Sequence, residues 1–363
     1  MKKALIAMSG GVDSSLAAKL MRDRGFQCIG CTMKLYNNED AGIERTRTCC
    51  SLDDVEDARS VAYALGMPFY VFNFTDDFRG TVIRRFIDSY EHGVTPNPCI
   101  DCNRFMKFGK LFDRAEILGC NYVVTGHYAR IEEQDGVFLL KKAADESKDQ
   151  SYVLYAMTQE QLAHVMFPLG GMRKTEVRAF AEECGFVNAA KPDSQDICFV
   201  PDGDYAGVIE KHTGRRPVCG NFVDSSGNVL GRHKGVIHYT IGQRKGLGIG
   251  GRKESLFILA TDTMQNVIYV GEGDAHPGLY RKALFMKAGD LHWIDPAERM
   301  RAGQRRRFRV RIRYRQPLQG AELVVCDEGG YLLFDEPQRG VTPGQFAVWY
   351  DGETLVGSGV IDR

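Results

Sequence analysis

The sequence predicts an α/β protein with an N-terminal doubly wound parallel sheet, a small β-rich central domain and a C-terminal β-barrel. Two patterns carry this expectation. Through the first half, short apolar runs alternate with stretches of helical periodicity, the rhythm of a parallel sheet covered on both faces. Beyond about Pro201, turn signals become frequent: Asp224-Ser225-Ser226-Gly227-Asn228, Gly246 to Gly251 and Asp327-Glu328-Gly329-Gly330. Between them lie short alternating runs rich in Val, Ile and aromatics, as β architecture requires. The 363 residues are enough for two or three domains, and the expected boundaries are 1–204, 205–280 and 281–363.

Taken in order, Ala4-Leu5-Ile6-Ala7-Met8 is the first strand, and Leu16, Ala17, Leu20 and Met21 mark the helix after it. The intervening Ser9-Gly10-Gly11-Val12-Asp13-Ser14-Ser15 is a turn of small residues. Paired glycines permit close backbone approach, and the unpaired N–H groups of the helix start favour an anion. This loop has neither Walker-type spacing nor the GxGxxG pattern. The SGGxDS pattern instead resembles the PP-loop of enzymes that split ATP into AMP and pyrophosphate. Cys28 to Leu35 and Pro68 to Phe74 read as buried strands, and Asp53 to Leu65 and Asp77 to Tyr90 as helices. Cys102 to Leu118 is the next helix and Asn121 to Thr125 the next strand. Helical patterns recur over Gln159 to Val165 and Lys174 to Cys184. Ligands of such a sheet bind beyond the carboxyl ends of its strands, where both the PP-loop and Gly126-His127-Tyr128 fall.

Composition bounds the function. Hydrophobic residues at 44% and charged ones at 26% are those of an ordinary globular protein. The 47 basic and 47 acidic side chains cancel, so only local charge can indicate a polyanionic partner. Neither a secretory signal nor a run of membrane-spanning length is evident, and a cytoplasmic protein is expected. Eleven cysteines in such a chain suit core, catalytic or metal-binding roles better than a disulfide framework. Cys28, Cys31, Cys120, Cys184 and Cys326 lie in or beside apolar runs and read as packing residues. Cys49, Cys50, Cys99, Cys102 and Cys198 lie in polar surroundings or beside Pro and Asp. Cys219, in a turn-rich stretch, fits either group.

Four segments carry chemistry. In Thr95-Pro96-Asn97-Pro98-Cys99-Ile100-Asp101-Cys102-Asn103 the prolines stiffen the chain ahead of Cys102, which is expected to open the helix and gain thiolate stabilisation there. The CxxC spacing admits half a zinc site, a redox pair or a nucleophile with a neighbour. No second CxxC follows, and spacing weighs zinc and nucleophile equally. Lys191-Pro192-Asp193-Ser194-Gln195-Asp196-Ile197-Cys198-Phe199 is a polar loop ending in a cysteine, equally readable as a domain entry. Lys148-Asp149-Gln150-Ser151-Tyr152 reads by default as a surface loop. Arg299 to Arg315 holds nine arginines and no acid, and from Arg307 to Arg315 arginine alternates with other residues. That alternation makes one apolar and one fully cationic strand face. Repulsion along the latter suggests a phosphate backbone as partner.

Together these segments resemble the bacterial tRNA-specific 2-thiouridylase family (MnmA/TrmU). The matching motifs are SGGVDSS, CCSLDDVEDAR (49–59), TPNPCxxCN (95–103), TGHYAR (125–130), KDQSYVLY (148–155), KPDSQDICF (191–199), HYTIGQRKGLGI (238–249) and RYRQ (313–316). They follow one another along nearly the whole chain. The resemblance implies an adenine nucleotide alpha hydrolase-like PP-loop domain that makes 2-thiouridine at the wobble position of tRNA. It implies that Ala7, Met8, Ser9, Gly10, Gly11, Val12, Asp13 and Ser14, with Met33 and Gly126, bind ATP accompanied by Mg²⁺. Cys198 would carry a persulfide received from a sulfur-donor protein, a cysteine desulfurase or a relay, and Cys102 would act as nucleophile, forming a transient disulfide with Cys198. Asn97, Pro98 and Cys99 would contact the flipped target base. His127, Lys148, Asp149, Gln150, Arg313, Tyr314 and Gln345 would contact the tRNA, which is engaged through its anticodon stem-loop by a monomer. Some members carry aspartate where this chain has Cys99, so no acid–base role transfers to that position. Cys99, Cys102 and Cys198 could instead hold a [4Fe-4S] cluster, a form proposed for the family in competition with the persulfide route. The loops at 36–52 and 191–200 are expected to rearrange, since Cys198 must reach Cys102.

Overall fold

The computed structural model describes residues 1–37, 52–193, 197–200 and 203–362. Cys49, Cys50 and Ser51 of the CCSLDDVEDAR run, Ser194, Gln195 and Asp196 of KPDSQDICF, and Pro201 lie outside the described residues.

The first half builds β1 (Lys3–Ala7), α1 (Val12–Asp23), β2 (Gln27–Lys34), α2 (Leu52–Ala64) and β3 (Phe69–Asn73). Two long helical stretches follow. The first, α3 (75–91), contains a π-helical turn at Arg79–Ile83, and the second, α4 (98–117), a longer one at Cys102–Lys110. Then come β4 (Tyr122–Val124), the hairpin β5 (Arg130–Gln134) and β6 (Val137–Lys141), α5 (Gln159–Ala163), β7 (Val165–Met166) and α6 (Lys174–Glu183). Five strands form one parallel sheet in the order β3-β2-β1-β4-β7. Strand alternation decides which layer each residue joins. Ala4, Ile6 and Met8 pack with α1, α2 and α6, whereas Leu5 packs with α4 on the opposite face. One expected buried strand is an edge instead: among the described residues β3 has a single neighbour, and its Tyr70 and Val71 stand 45% and 43% exposed.

After α7 (Tyr205–Thr213), the four strands β8 (Gly220–Val223), β9 (Val229–His233), β10 (Leu256–Asp262) and β11 (Val267–Glu272) form a sheet in the order β10-β11-β8-β9. The last unit is β12 (Tyr280–Lys287), β13 (His292–Trp293), β14 (Arg305–Arg311), β15 (Gln319–Cys326), β16 (Gly329–Arg339), β17 (Phe346–Asp351) and β18 (Thr354–Val360). Its strands run β12-β16-β15-β14-β17-β18. The turn back to β12 is made by the Asp362 N–H, which donates to the Phe285 carbonyl at 2.9 Å. Trp349, Trp293, Phe308 and Leu332 fill the interior. Among the described residues no helix is long and apolar enough to cross a membrane.

The barrel is fastened to the parallel-sheet unit by backbone and buried polar contacts. Hairpin β5–β6 extends the barrel sheet beside β18, with Thr354 opposite Lys141. Its two-residue turn, Asp135-Gly136, has φ of 51° and 81°, the primed geometry an Asp-Gly pair favours. Deeper, Asp149 is wholly buried at its side chain and accepts from the Arg311 guanidinium at 2.8 Å, from the Ser151 hydroxyl and from the Ala143 N–H. Ser151 in turn meets the Tyr350 hydroxyl at 3.0 Å, and the Tyr152 hydroxyl donates to the Phe346 carbonyl at 2.9 Å. The Lys148–Tyr152 segment is therefore mostly domain interface, not surface loop, because Asp149, Ser151 and Tyr152 are buried.

Removing one member of such a buried pair leaves the other charge unpaired, which costs about 3–5 kcal/mol. Arg311→Met is expected to destabilise the chain by that order in urea unfolding, whereas Arg309→Met, on the exposed strand face, should change it little. Equal effects of the two substitutions would contradict this account of the interface.

Candidate active site

The loop after β1 is shaped by close backbone contact. Gly10 has φ of +76°, and a Cβ there would lie 2.3 Å from the Asp54 carbonyl oxygen. Gly126, just past β4, packs so tightly that a Cβ would lie 2.8 Å from the Asp13 carbonyl carbon and 2.9 Å from the Ser14 nitrogen. Only glycine fits at either place. Gly11 is the N-cap of α1 and has no side chain to cap the first-turn N–H groups, so those donors suit an anion. Inside the loop the Ser14 hydroxyl accepts from the Ser9 N–H at 3.1 Å and donates to the Gly11 carbonyl at 3.0 Å. The Thr32 hydroxyl, donating to the Met8 carbonyl at 2.6 Å, braces the strand end. Met33, half-buried on β2, packs against apolar clusters on the α4 side of the sheet.

Around this loop the chain gathers charge. Both Asp13 carboxylate oxygens accept from Lys174 Nζ, at 2.7 and 2.8 Å, and the Tyr128 hydroxyl donates to Asp13 at 2.7 Å. Lys174 also reaches Asp193 at 2.8 Å, where Arg178 and Lys148 converge at 2.8 and 2.9 Å. Burial opposes ionisation of Asp193, but hydrogen bonds from Lys148 and Lys174 outweigh it and hold the carboxyl at about 2. Lys191 joins Asp54 and Asp57 at 2.6 and 2.7 Å. Asn188 donates to the Gly10 carbonyl and the Ser15 hydroxyl, both at 2.9 Å. The segment leading toward Cys198 is thus tied by charge to the loop at Ser9–Ser14.

The cysteines are placed differently from expectation in one respect. The helix opens at Pro98, with Asn97 as N-cap, because proline needs no N–H partner in a first turn. Cys99 therefore occupies the helix start and is exposed, while Cys102 lies in the second turn, buried, where the π-helical stretch begins. The expectation that Cys102 opens the helix is corrected, and with it the reason given for its thiolate stabilisation. Cys102 and the half-buried Cys198 pack against one apolar cluster containing Leu35, Tyr36, Phe74, Phe78, Phe86, Met106 and Phe199. This cluster lies past the carboxyl ends of β2 and β3, and the Tyr36 hydroxyl donates to the Cys198 carbonyl at 2.7 Å. Asp101, two residues after Cys99 in the chain, is raised by burial and faces Arg85 at 3.4 Å. Cys28 and Cys31 are buried in the sheet, and burial pushes the Cys28 thiol up to about 11, consistent with packing roles.

Asn97 and Pro98 sit in a segment braced by the barrel. Gln345 Nε2 donates to the Thr95 carbonyl at 2.7 Å, and the Thr95 N–H donates to Pro343 at 3.2 Å. Gly344 makes room, since a Cβ there would lie 1.9 Å from Val94 Cγ1. Gln150 accepts from the Tyr128 N–H, and Tyr314 packs beside Tyr152. His127 is buried between Phe108 and Phe167, with its Nδ1 2.7 Å from the Thr125 hydroxyl. Burial and the nearby Lys107 ammonium keep its imidazole neutral. Lys148 and Arg313 remain accessible, Arg313 donating to the Arg339 and Gly340 carbonyls. Asp149 and His127 face protein, not solvent. The arginine strand is corrected in extent, because it ends at Arg311, and its cationic face is neutralised only in part: Arg307 pairs with Asp335 and Arg311 with Asp149, while Arg305 pairs with Glu322 and Arg306 with Glu298 and Asp351. Arg309 and Arg313 bond backbone carbonyls instead of carboxylates, so that face keeps cationic side chains.

Among the described residues no three His, Cys, Asp or Glu side chains are grouped to hold a metal ion. Cys99 is exposed and Cys102 buried. Lys174 was given no role from sequence, and Tyr128 was placed at the ligand end of the sheet without a partner. A lysine as the first residue of a helix opposes the helix dipole, and that anomaly was the available signal for Lys174. Because the folded-state pKa of Asp193 is depressed below the ordinary value of about 3.9, its stabilising contribution is full above that pH and is lost as pH falls toward 2. Asp193→Asn should therefore be less stable than the parent chain at pH 7, with the gap closing below about pH 4. A gap in unfolding free energy that stays constant from pH 7 to pH 3 would contradict the assignment.

Three family models match in succession: a tRNA methyl transferase HUP domain over residues 2–202, a tRNA methyl transferase PRC-barrel domain over 206–272 and an aminomethyltransferase beta-barrel domain over 284–361. The tRNA-specific 2-thiouridylase MnmA of Clostridioides difficile is 46% identical over 365 residues, covering 100% of this chain and 98% of the relative. That of Clostridium acetobutylicum is 45% identical over 362 residues, covering 99% of each. Among solved structures, a 4-thiouridine synthetase–RNA complex with bound ATP overlaps 59% of this chain and 50% of its own, at 22% identity and a TM-score of 0.36. On full-length identity and three consecutive domain matches, the chain belongs to the tRNA-specific 2-thiouridylase family.

Proposed function

We propose that this protein catalyses ATP-dependent 2-thiolation of the wobble uridine of tRNA, yielding 2-thiouridine, AMP and pyrophosphate. The observation that carries the reading is identity of about 46% along the whole chain with tRNA 2-thiouridylases. It is supported by a glycine-walled anion loop and by two cysteines packed on one cluster beyond the same sheet. Residues 2–202 would hold the chemistry and 284–361 would frame the tRNA.

The reaction follows from the residues. Uracil O2 is a poor leaving group and needs activation. In this reading Ala7 to Ser14, with Met33 and Gly126, hold ATP so that O2 attacks the α-phosphorus and pyrophosphate departs. The first-turn N–H groups of α1 and the Ser9 and Ser14 hydroxyls stabilise the departing charge. Mg²⁺ enters as the counter-ion of the nucleotide, and hydroxyl and Asp13 carboxylate oxygens are the hard donors it accepts. Cys198 carries a terminal persulfide sulfur delivered by a donor protein. That sulfur attacks C2 of the adenylated base and AMP leaves with the former O2; the Cys102 thiolate then attacks Cys198 Sγ, breaking the persulfide S–S bond and releasing the 2-thiolated base. Alternatively, Cys102 attacks Cys198 first and releases hydrosulfide, which attacks C2. Either order leaves a Cys102–Cys198 disulfide that an external thiol must reduce. Asn97, Pro98 and Cys99, braced by Gln345, are placed for the base in this scheme, and Lys148, Gln150, Arg313 and Tyr314 for the RNA around it. Asp149 and His127 support those positions from inside. The protein is taken to act as a cytoplasmic monomer on the anticodon stem-loop.

The test is to incubate the protein with ATP, Mg²⁺, a persulfide donor and unmodified tRNA, then digest the RNA and quantify 2-thiouridine. The parent chain should form it, while Cys102→Ser and Cys198→Ser should fall to background and still bind tRNA. No 2-thiouridine from the parent chain with an active donor, or activity retained by either variant, would overturn the reading.

A further inference from the structure

Lys174 is a side chain the reaction scheme above does not use. Its ammonium is 9% exposed, yet it is divided between two carboxylates, Asp13 on the nucleotide loop and Asp193 on the segment leading to Cys198. It also lies 5.7 Å from the centre of the Tyr128 ring. As the first residue of α6 it stands where the helix dipole disfavours a cation. Its backbone N–H is accepted by Asp145 at 3.0 Å, which fixes the start of the helix and aims the side chain at the loop.

Each partner of Lys174 has another donor. Asp193 keeps Arg178 and Lys148, and Asp13 keeps the Tyr128 hydroxyl. Lys174 can therefore turn away without leaving a carboxylate stranded, the outcome that makes a broken buried pair so costly. Its partner Asp13 belongs to the first turn of α1, whose N–H groups no side chain caps and where polyphosphate would dock. A strongly hydrated, flexible ammonium is well suited to follow moving phosphate oxygens as a point charge.

Resting on the nucleotide reading above, we propose that Lys174 is a ligand of the β- and γ-phosphates, held ready by Asp13 and Asp193 until ATP arrives. On binding, its ammonium leaves Asp193 for the phosphates and stays beside them as they depart as pyrophosphate. No bond to Lys174 forms or breaks in the process. Lys174 thus discriminates ATP and pyrophosphate from AMP, and Asp193 competes with the nucleotide for it.

Calorimetric titration of the full chain with MgATP, magnesium pyrophosphate and AMP tests this. Lys174→Met should weaken ATP and pyrophosphate at least tenfold while AMP stays within twofold. Asp193→Asn, which removes the competitor, should bind ATP as tightly as the parent or more tightly. ATP affinity of Lys174→Met within twofold of the parent would overturn the proposal, as would an equal loss for AMP, the mark of a purely structural role. If Lys174→Met does not fold by circular dichroism, Asp193→Asn decides: a tenfold loss of ATP affinity overturns the proposal, and unchanged or tighter binding supports it. Failure of the parent chain to bind ATP would instead defeat the nucleotide reading itself.

Discussion

Everything at the site depends on three backbone segments meeting without room for a methyl group. The loop after β1 touches the start of α2 through Gly10 and the end of β4 through Gly126. With those glycines the first turn of α1 presents its N–H groups at the edge of the sheet. Any larger residue at either position would push the loop off its neighbours. The parallel order β3-β2-β1-β4-β7 puts β1 at the centre, so the loop inherits the rigidity of strands on both sides. In the proposed reaction that stiffness suits stabilisation of charge at a leaving pyrophosphate, because donors already in place need not reorganise.

A second constraint acts from the opposite end of the chain. The barrel does not merely follow the parallel-sheet unit; it holds the reactive segments in position. Gln345 and Gly344 seat the backbone at Val94–Thr95, ahead of Asn97 and Cys99, and the buried Arg311–Asp149 pair fastens the KDQSY segment. One Asp149 oxygen serves both Arg311 and Ser151, and the backbone of neighbouring Gln150 bonds Tyr128, whose hydroxyl reaches Asp13. A chain of packed polar groups therefore links the barrel to the loop at Ser9–Ser14. The cysteines sit to one side of it, against an apolar cluster that limits water around Cys102.

Much of this was legible in the residues, and the remainder was hidden for identifiable reasons. Alternating strands and helices declared the parallel sheet, and SGGVDSS announced its anion loop, because both are local patterns. The family motifs tied Cys102 to Cys198 across nearly a hundred residues, which no periodicity could do. The arginine strand was legible only in part, since a run in one strand cannot show that Glu298, Glu322, Asp335 and Asp351 arrive from elsewhere to pair with Arg305, Arg306 and Arg307. Cys102 was placed one turn early in its helix because Pro98 reads equally as a loop residue or as a first helical position. The β5–β6 hairpin did carry a signal, Asp135-Gly136, that went unread, though its pairing with β18 is a long-range contact. Lys174 was visible only as a cation at an unfavourable helix end, and its partners come from three distant segments.

The central claim is that the glycine loop serves to activate a base oxygen before sulfur replaces it. The direct measurement is an isotope trace: tRNA carrying ¹⁸O at C2 of the target uridine is thiolated under single-turnover conditions, and the AMP released is analysed by mass spectrometry. Adenylation at O2 followed by cleavage of the C2–O bond predicts that the label appears in the phosphate of AMP, one atom for each 2-thiouridine formed. Unlabelled AMP alongside 2-thiouridine would contradict the account.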